Sequence, residues 1–372
     1  MYWFALALNQ KDFKKVAKNK FYYNRFPCVE YIARKKVFCS ITNRMRKTFD
    51  KQFGFAPISF LLPEEASALE SYMDQHPKFT FICKPNSGKG GEGIFLVEKF
   101  KQIPKNLWSD SHSDLLVQRY IKTPILLDKK RFDLRLYVLI KSFDPIEAYL
   151  CDEGLARLCT TDYRQPHAGN LKNMFMHLTN FTLNKQSEDY KACNDDFLED
   201  GQDKGSKRLL STLWKTLEEE GHDVDEIQER IKDTVRKSVI TMEPYLKHYY
   251  VTNISKNTED TKQFHILGLD ILIDKKNHAW LMEINSNPSL NIFLEREIPG
   301  ALEGQTEKVL QELDKHVKAK VVTEAIRIVT DEGDGEYEGS FEQLLPLEDG
   351  SMDEFYIWNK GQRFFELLLM SS

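Results

Sequence analysis

Residues Phe264 to Asn291 read FHILGLDILIDKKNHAWLMEINSNPSLN, two apolar runs on either side of the polar turn Lys275 to His278. Short apolar runs joined by such a turn are a β-hairpin signal. With the turn centred between Lys276 and Asn277, Asp270 on the first strand lies opposite Glu283 on the second, and the two-residue period puts Asn285 on the same face. Leu269, Ile271, Ile273, Met282 and Ile284 take the other face, as core. Directly opposed carboxylates repel unless a proton or a cation sits between them. Two carboxylates and an amide oxygen suit Mg²⁺, which keeps several waters and usually binds substrate phosphates as well. The plainer reading is a surface hairpin with solvated acids.

The 372 residues, 41% of them hydrophobic, are enough to bury large cores and to form two or three subdomains around one site. Six cysteines (Cys28, Cys39, Cys83, Cys151, Cys159, Cys193) make no CxxC pair, which argues against a zinc site or a disulfide framework and suits a reducing, cytoplasmic setting. The opening MYWFALAL is too short for a signal peptide, and no run approaches the length of a membrane span, so no membrane partner is expected. The net charge of −5 hides an asymmetry: Lys11 to Lys51 holds thirteen Lys or Arg against three acids, and Asp331 to Glu354 holds ten acids and no base. The basic segment, with Phe21, Tyr22, Tyr23 and Phe26 interleaved, suits an acidic protein or nucleic acid, the alternative being solvated helix faces. An acidic tail would compete with nucleic acid for that segment, so no nucleic acid is expected.

Along the chain, 11–51 reads as basic helical segments broken at Pro27, and Ala56 to Leu62 as a strand before the helix Glu64 to Gln75. Phe79 to Lys84 is a strand leading into PNSGKGGEGIFLV, whose Gly88, Gly90, Gly91 and Gly93 make a loop before a second strand, Ile94 to Val97. Glycine amides approach phosphate oxygens closely, and Lys84 and Lys89 add charge. It is no Walker A loop, because it joins two strands. Leu115 to Ile121 and Arg131 to Ile140 are strands, the latter with Arg131, Asp133, Arg135 and Tyr137 on one face, which suggests a cleft. Ala148 to Cys159 reads as a strand pair around Asp152 to Gly154, and Gln186 to Lys204 as a surface loop. Helices are expected over Ser206 to Glu220, Asp225 to Tyr249 and Thr306 to Ile328. The division is 1–78, a basic N-terminal subdomain; 79–328, the central and C-terminal subdomains; and 329–372, an acidic and mostly disordered tail in which Phe355 to Met370 forms a docking element.

Taken in order, FICKPNSGKGGEGIFL, VQRYI, RFDLRLYVL, DPIEAYLCDEGLARL, MHLTNFTLNK, GSKRLLSTL, LGLDILID and WLMEINSNPSL resemble the tubulin tyrosine ligase-like family over roughly 21–328, with GSKRLLSTL and the helices after it most similar to the polyglutamylase branch. The resemblance implies an α/β (α+β) chain of ATP-grasp fold, with three subdomains around one nucleotide cleft. It implies an ATP-dependent carbon–nitrogen ligase that adds free L-glutamate to glutamate side chains in tubulin C-terminal tails through an acyl phosphate, with ATP and Mg²⁺ as cofactors. It also implies a cytoplasmic monomer on microtubules of the cytoskeleton, cilium or basal body. A glycylase of the same family and a silent microtubule-binding module are the alternatives.

By similarity, Lys84, Gly90 and Gly91 contact the phosphates, Gln118, Arg119, Tyr120 and Ile121 frame adenine, and Arg131 and Asp133 line the nucleotide side, with Thr179 and Asn180 near the phosphates. Asp270, Glu283 and Asn285 hold Mg²⁺, and Arg135 braces the acyl phosphate as a catalytic residue with Asp270 and Glu283. Arg157, Thr182 and Lys207 bind the incoming amino acid, since an arginine fork can take both oxygens of a carboxylate. Two departures stand out: Arg131 replaces the family's usual Lys, and Gly90 and Glu92 replace polar and basic residues in the loop.

Overall fold

The computed structural model describes residues 1–5, 8, 10–16, 21–49, 52–85, 91–109, 115–143, 145–191, 205–253, 262–297, 305–330 and 339–347. The basic N-terminal stretch forms α1 (Gln10–Val16), α2 (Val29–Ile32) and α3 (Lys35–Thr48), followed by β1 (Ser59–Leu62) and α4 (Ala66–Gln75). β1 leaves that company to join β2 (Phe81–Pro85), β3 (Phe95–Val97) and β4 (Leu115–Arg119) in an antiparallel sheet of order β1-β4-β2-β3. The glycine-rich segment thus joins two adjacent strands, β2 and β3.

The second sheet is organised on β6 (Lys130–Phe143), which follows the short β5 (Leu126–Leu127) and pairs in turn with β7 (Ile146–Cys151) and β8 (Leu155–Leu158). Short helices α5 (Met174–His177) and α6 (Phe181–Asn184) lead to β9 (Lys207–Leu209), on the outside of β8, and then to α7 (Leu210–Glu219) and α8 (Val224–Asn253). The hairpin strands β10 (His265–Ile273) and β11 (Ala279–Asn285) extend the other edge. A two-stranded arm, β12 (Phe293–Glu297) and β13 (Thr306–Leu310), precedes α9 (Glu312–Thr330), and β14 (Phe341–Leu345) pairs with β7, giving eight strands with β11-β10-β6-β7-β14 as the main path.

Strand alternation sorts the two faces. Phe132, Leu134, Leu136, Val138 and Ile140 of β6 and Leu267, Leu269, Ile271 and Ile273 of β10 pack against α2, α3, α7 and α8, whose Ile227, Ile231, Val235 and Val239 recur at the expected four-residue spacing. Tyr137, Leu139 and Ile266 point to the opposite face and meet Leu313, Val317, Val321 and Ala325 of α9. α9 covers part of that second face; Arg135 and Asp270, on the same face, are left to line a cleft. No helix among the described residues is long and apolar enough to cross a membrane, and the five described cysteines are free thiols.

Several expectations need correction. Near the turn Ile273 pairs with Ala279, so the hairpin is centred on Lys276, and an extra residue between Leu281 and Glu283 restores the expected Asp270–Glu283 pairing. That extra residue is Met282, so Leu281 takes the core position assigned to it, and Met282 is only half-buried. Asn277 at φ 58° and the Asp274 carboxylate, which accepts the Lys276 and His278 amides at 2.8 and 3.1 Å, shape the turn. β7 and β8 do not pair with each other; both run along one edge of β6, interrupted at Asp152 to Gly154. The starts of two expected helices are strands, β9 and β13. Of the acidic tail, the described part is ordered as β14, because Leu344 and Leu345 find core beside β7; the expected docking element lies outside the described residues.

Candidate active site

Between the two sheets lies a cavity of about 350 Å³, within the range of small-molecule sites. The first sheet contributes Lys84, and Gly91 follows it; the second contributes Arg135, Arg157, Lys207, Asp270, Glu283 and Asn285; Asn180 and Thr182 come from the start of α6. Ten of the candidate site residues read from the sequence therefore converge.

The register explains the centre. Asp270 pairs with Arg135 across β10 and β6, and Asp133 pairs with Arg157 across β6 and β8. Arg135 donates to both Asp270 oxygens, at 2.6 and 3.1 Å, and Arg157 donates to Asp133 at 2.8 and 2.6 Å. A contact of 2.9 Å from Arg157 Nη2 to Asp270 joins the pairs into one buried network, and Thr179 Oγ1 donates to Asp133 at 2.6 Å. Burial works against the Asp270 anion, yet Arg135 and Arg157 outweigh it and hold its carboxyl well below the usual range. Burial likewise opposes the Arg157 cation, and Asp133 and Asp270 more than compensate, raising its pKa. Gly268 is required beside this network: a Cβ there would stand 2.9 Å from Pro288 Cβ and 3.2 Å from Arg135 Cδ.

Glu283 pairs with Lys35, from the start of α3, at 3.0 Å. Lys84 is buried and donates to Gln118 at 2.8 Å; desolvation lowers its pKa, with Glu283 opposing. Gln118 in turn donates to Ser59 at 3.0 Å, so it positions Lys84 and does not itself line the cavity. Tyr120 and Ile121 are buried behind the wall, where Arg131 donates to the Ile121 carbonyl at 2.8 Å and lies 4.5 Å from the Tyr120 ring centre. Arg119 stacks on Phe79 at 4.1 Å. Gly90 lies outside the described residues.

Lys35, Asp314 and Lys318 also line the cavity and were missed. Lys35 was hidden in a run of basic residues. Asp314 and Lys318 carried one signal: they stand four apart beside the apolar stripe Leu313, Val317, Val321, where a solvated pair is not expected.

Whether this donor set fits a cation depends on which atoms are already engaged. Asn285 Nδ2 faces the Gly268 carbonyl at 3.4 Å, so its oxygen is not the atom committed to the backbone, and Glu283 is ion-paired with Lys35 alone among the described residues. Asp270 is held by two arginines on both oxygens. Among the described residues no three His, Cys, Asp or Glu side chains form a cation cage. A set of this kind fits Mg²⁺ that takes part of its shell from phosphates and water, with Glu283 and Asn285 as its main protein ligands.

A mixed α/β chain with its cleft between two antiparallel sheets, walled by paired arginines and carboxylates and provided with ammonium groups at both ends, is a protein built to handle anions. The model of the tubulin-tyrosine ligase family matches residues 15–296, and the chain belongs to that family. It is 32% identical to tubulin polyglutamylase ttll6 of Danio rerio over 97% of this chain and 47% of that protein. It is 37% identical to tubulin polyglutamylase TTLL6 of Mus musculus over 80% of this chain and 34% of that protein. With tubulin polyglutamylase TTLL11 of Mus musculus the identity is 35%, over 88% of this chain and 44% of that protein. The chain thus spans a third to a half of the length of these relatives.

Proposed function

We propose that the chain is an ATP-dependent protein-glutamate ligase that joins free L-glutamate to glutamate side chains of tubulin C-terminal tails, working as a monomer on microtubules in the cytoplasm. The observation that carries this reading is the ladder of cations across one cavity: Lys84 at one end, Arg135 and Arg157 in the middle, Lys207 at the other. Three anionic groups must meet in such a reaction, a phosphate chain, an acceptor carboxylate and an amino acid. The two facing antiparallel sheets suit the ATP-grasp arrangement expected of the family.

ATP bound with Mg²⁺ would supply the phosphoryl group that turns a poor acylating carboxylate into an acyl phosphate, and the chain's residues would do the rest. Lys84, kept in place by Gln118, would bind phosphate oxygens, and Glu283 and Asn285 would hold the metal. Arg135 would orient the acceptor carboxylate and stabilise charge developing on it, with Asp270 fixing the guanidinium plane. Attack by the donor amine on the acyl carbon then forms the amide and releases phosphate. Arg157 has a revised part: its charge is committed to Asp133 and Asp270, so it shapes the wall and leaves donor binding mainly to Lys207 and Thr182.

The test is incorporation of labelled glutamate or glycine, in parallel, into tubulin with Mg·ATP. Glutamate incorporation supports the proposal. Glycine alone would make the chain a glycylase, and neither would make it a non-catalytic member of the family.

A further inference from the structure

β11 ends at Asn285, and residues 286–292 belong to no regular element, yet Asn285, Ser289 and Asn291 all line the cavity. Their place depends on what holds the turn 286–288 from behind. Asn285 directs its own Nδ2 to the Gly268 carbonyl at only 3.4 Å, a long contact, so its side chain follows the backbone it stands on.

Two stretches from the far end of the chain grip that turn. Tyr2, Tyr23 and Gln263 lie side by side in parallel bridges just before β10, which sets residues 1–5 and 22–26 against the hairpin. Asn24 ties the two stretches together: its Oδ1 accepts the Phe4 amide at 2.7 Å, and its Nδ2 donates to the Phe4 carbonyl at 3.2 Å. Arg25, 5% exposed, donates from Nη1 to the Asn24 carbonyl at 2.7 Å and from Nη2 to Asn287 Oδ1 at 2.9 Å. Asn287 Nδ2 donates to the Ala5 carbonyl at 2.9 Å. On one side of Asn287 the Ser286 carbonyl accepts from His265, and on the other Pro288 is buried against Gly268.

Both ends of the Asn287 amide are thus engaged, which fixes its orientation, and the bond from Arg25 is strengthened by the charge of the guanidinium. Neither Arg25 nor Asn287 lines the cavity. Desolvation lowers the Arg25 pKa, with Glu30 opposing, so the buried cation is a cost to the fold. That cost is met two residues behind the amide assigned to the metal. Ala5 lies before the residues the family model matches, so the grip draws on chain outside the matched region.

We infer that Arg25 and Asn287 are positioning residues of the Mg²⁺ site: they clamp the turn behind β11 and thereby set the direction of the Asn285 oxygen. The inference rests on the reading of Asn285 as a metal ligand. Groups that orient a ligand without touching the metal are commonly worth about 10–100-fold in metal affinity.

The test is a Mg²⁺ titration of the purified chain at a fixed concentration of a non-hydrolysable ATP analogue, read as thermal stabilisation, with EDTA as the zero point. Asn285→Ala and Asn287→Ala should each raise the half-saturating Mg²⁺ concentration about tenfold, and the double variant should be no worse than either, because both changes act through one oxygen. Binding of the analogue in EDTA should be unchanged in Asn287→Ala. Arg25→Met should behave as Asn287→Ala does, and Arg25→Lys should recover part of the loss. Asn287 is exposed, so its variant decides the matter where the Arg25 variants do not fold. A Mg²⁺ response that shifts in Asn285→Ala but not in Asn287→Ala overturns the clamp alone, as does a double variant in which the two losses multiply. A response that shifts in neither removes Asn285 from the metal site and the clamp with it.

Discussion

Asp270 and Glu283 face each other across the hairpin, and each turns to different cations of the protein: Asp270 to Arg135 and Arg157, Glu283 to Lys35. The repulsion that made the pair look like a metal site is thereby relieved before any metal arrives. A cation that binds Glu283 must displace or share with Lys35.

Glu283→Gln follows from this pairing. Removing the charge strands Lys35 in a partly buried position, so the metal-free variant should be less stable by up to about 1 kcal/mol, against the gain that simple relief of repulsion would bring. Ligation should fall by orders of magnitude, and the thermal stabilisation conferred by Mg·ATP should shrink. Melts with and without Mg·ATP, paired with the ligation assay, check it; equal stabilisation of both proteins would remove Glu283 from the metal site.

Arg157→Ala should be a stability mutant before it is a binding mutant. It leaves Asp133 without its bidentate partner and Asp270 with one arginine, in a buried network, at a cost of about 3–5 kcal/mol. Urea denaturation should show the loss, and Arg157→Lys should recover only part because an ammonium cannot bridge both carboxylates in the same way. A variant as stable as the parent would mean that the network is not a structural unit.

Gly268→Ala should disturb Arg135 without touching a charge. The new methyl would press on Pro288 and on the Arg135 side chain, and overpacking of this kind costs about 1–3 kcal/mol. Ligation should drop more than folding stability predicts, measured as kcat beside a thermal melt, because Arg135 is the residue pushed. An unchanged kcat would argue against a role for the orientation of Arg135.

His265 should make the protein acid-sensitive. Its Nδ1 accepts from the Phe26 amide at 3.1 Å and its Nε2–H donates to the Ser286 carbonyl at 2.6 Å, so both nitrogens are used by the neutral ring. Desolvation by burial lowers its pKa from 6.5 to about 4. Between those values the unfolded chain takes up a proton that the folded chain refuses, so stability falls as pH drops through that window, by up to about 3 kcal/mol from this residue. Denaturation midpoints at pH 7 and pH 4.5 test it, and His265→Gln should flatten the slope. The same slope in both proteins would assign it elsewhere.

Salt should affect tubulin binding less than the thirteen cations of 11–51 suggest. Lys15 is paired with Asp12, Lys35 with Glu283 and Lys36 with Glu64, so part of that charge is already neutralised within the chain. Raising salt should still raise KM for tubulin through the remaining exposed lysines and arginines. A KM that does not move with salt would leave the segment no part in steering.

By itself the sequence determined whatever depends on local period and order. Alternation placed Arg131, Asp133, Arg135 and Tyr137 on one face of β6, because side-chain direction in a regular strand follows from position alone, whereas Asp270 meets Glu283 only through the extra residue Met282, which the turn residues did not foretell. The ordered motifs identified the family. Tertiary structure alone decided which charges meet. Lys35 and Glu283 are 248 positions apart, and Lys207 and Asp314 are 107 apart, so no local pattern couples them; only sheet order and the docking of α3 and α9 do. The same holds for β9 and β13, whose residues have helical periodicity nearby but become strands where a neighbouring edge offers hydrogen bonds. Local propensity is worth tenths of a kcal/mol per residue, and a sheet edge that satisfies the backbone outweighs it.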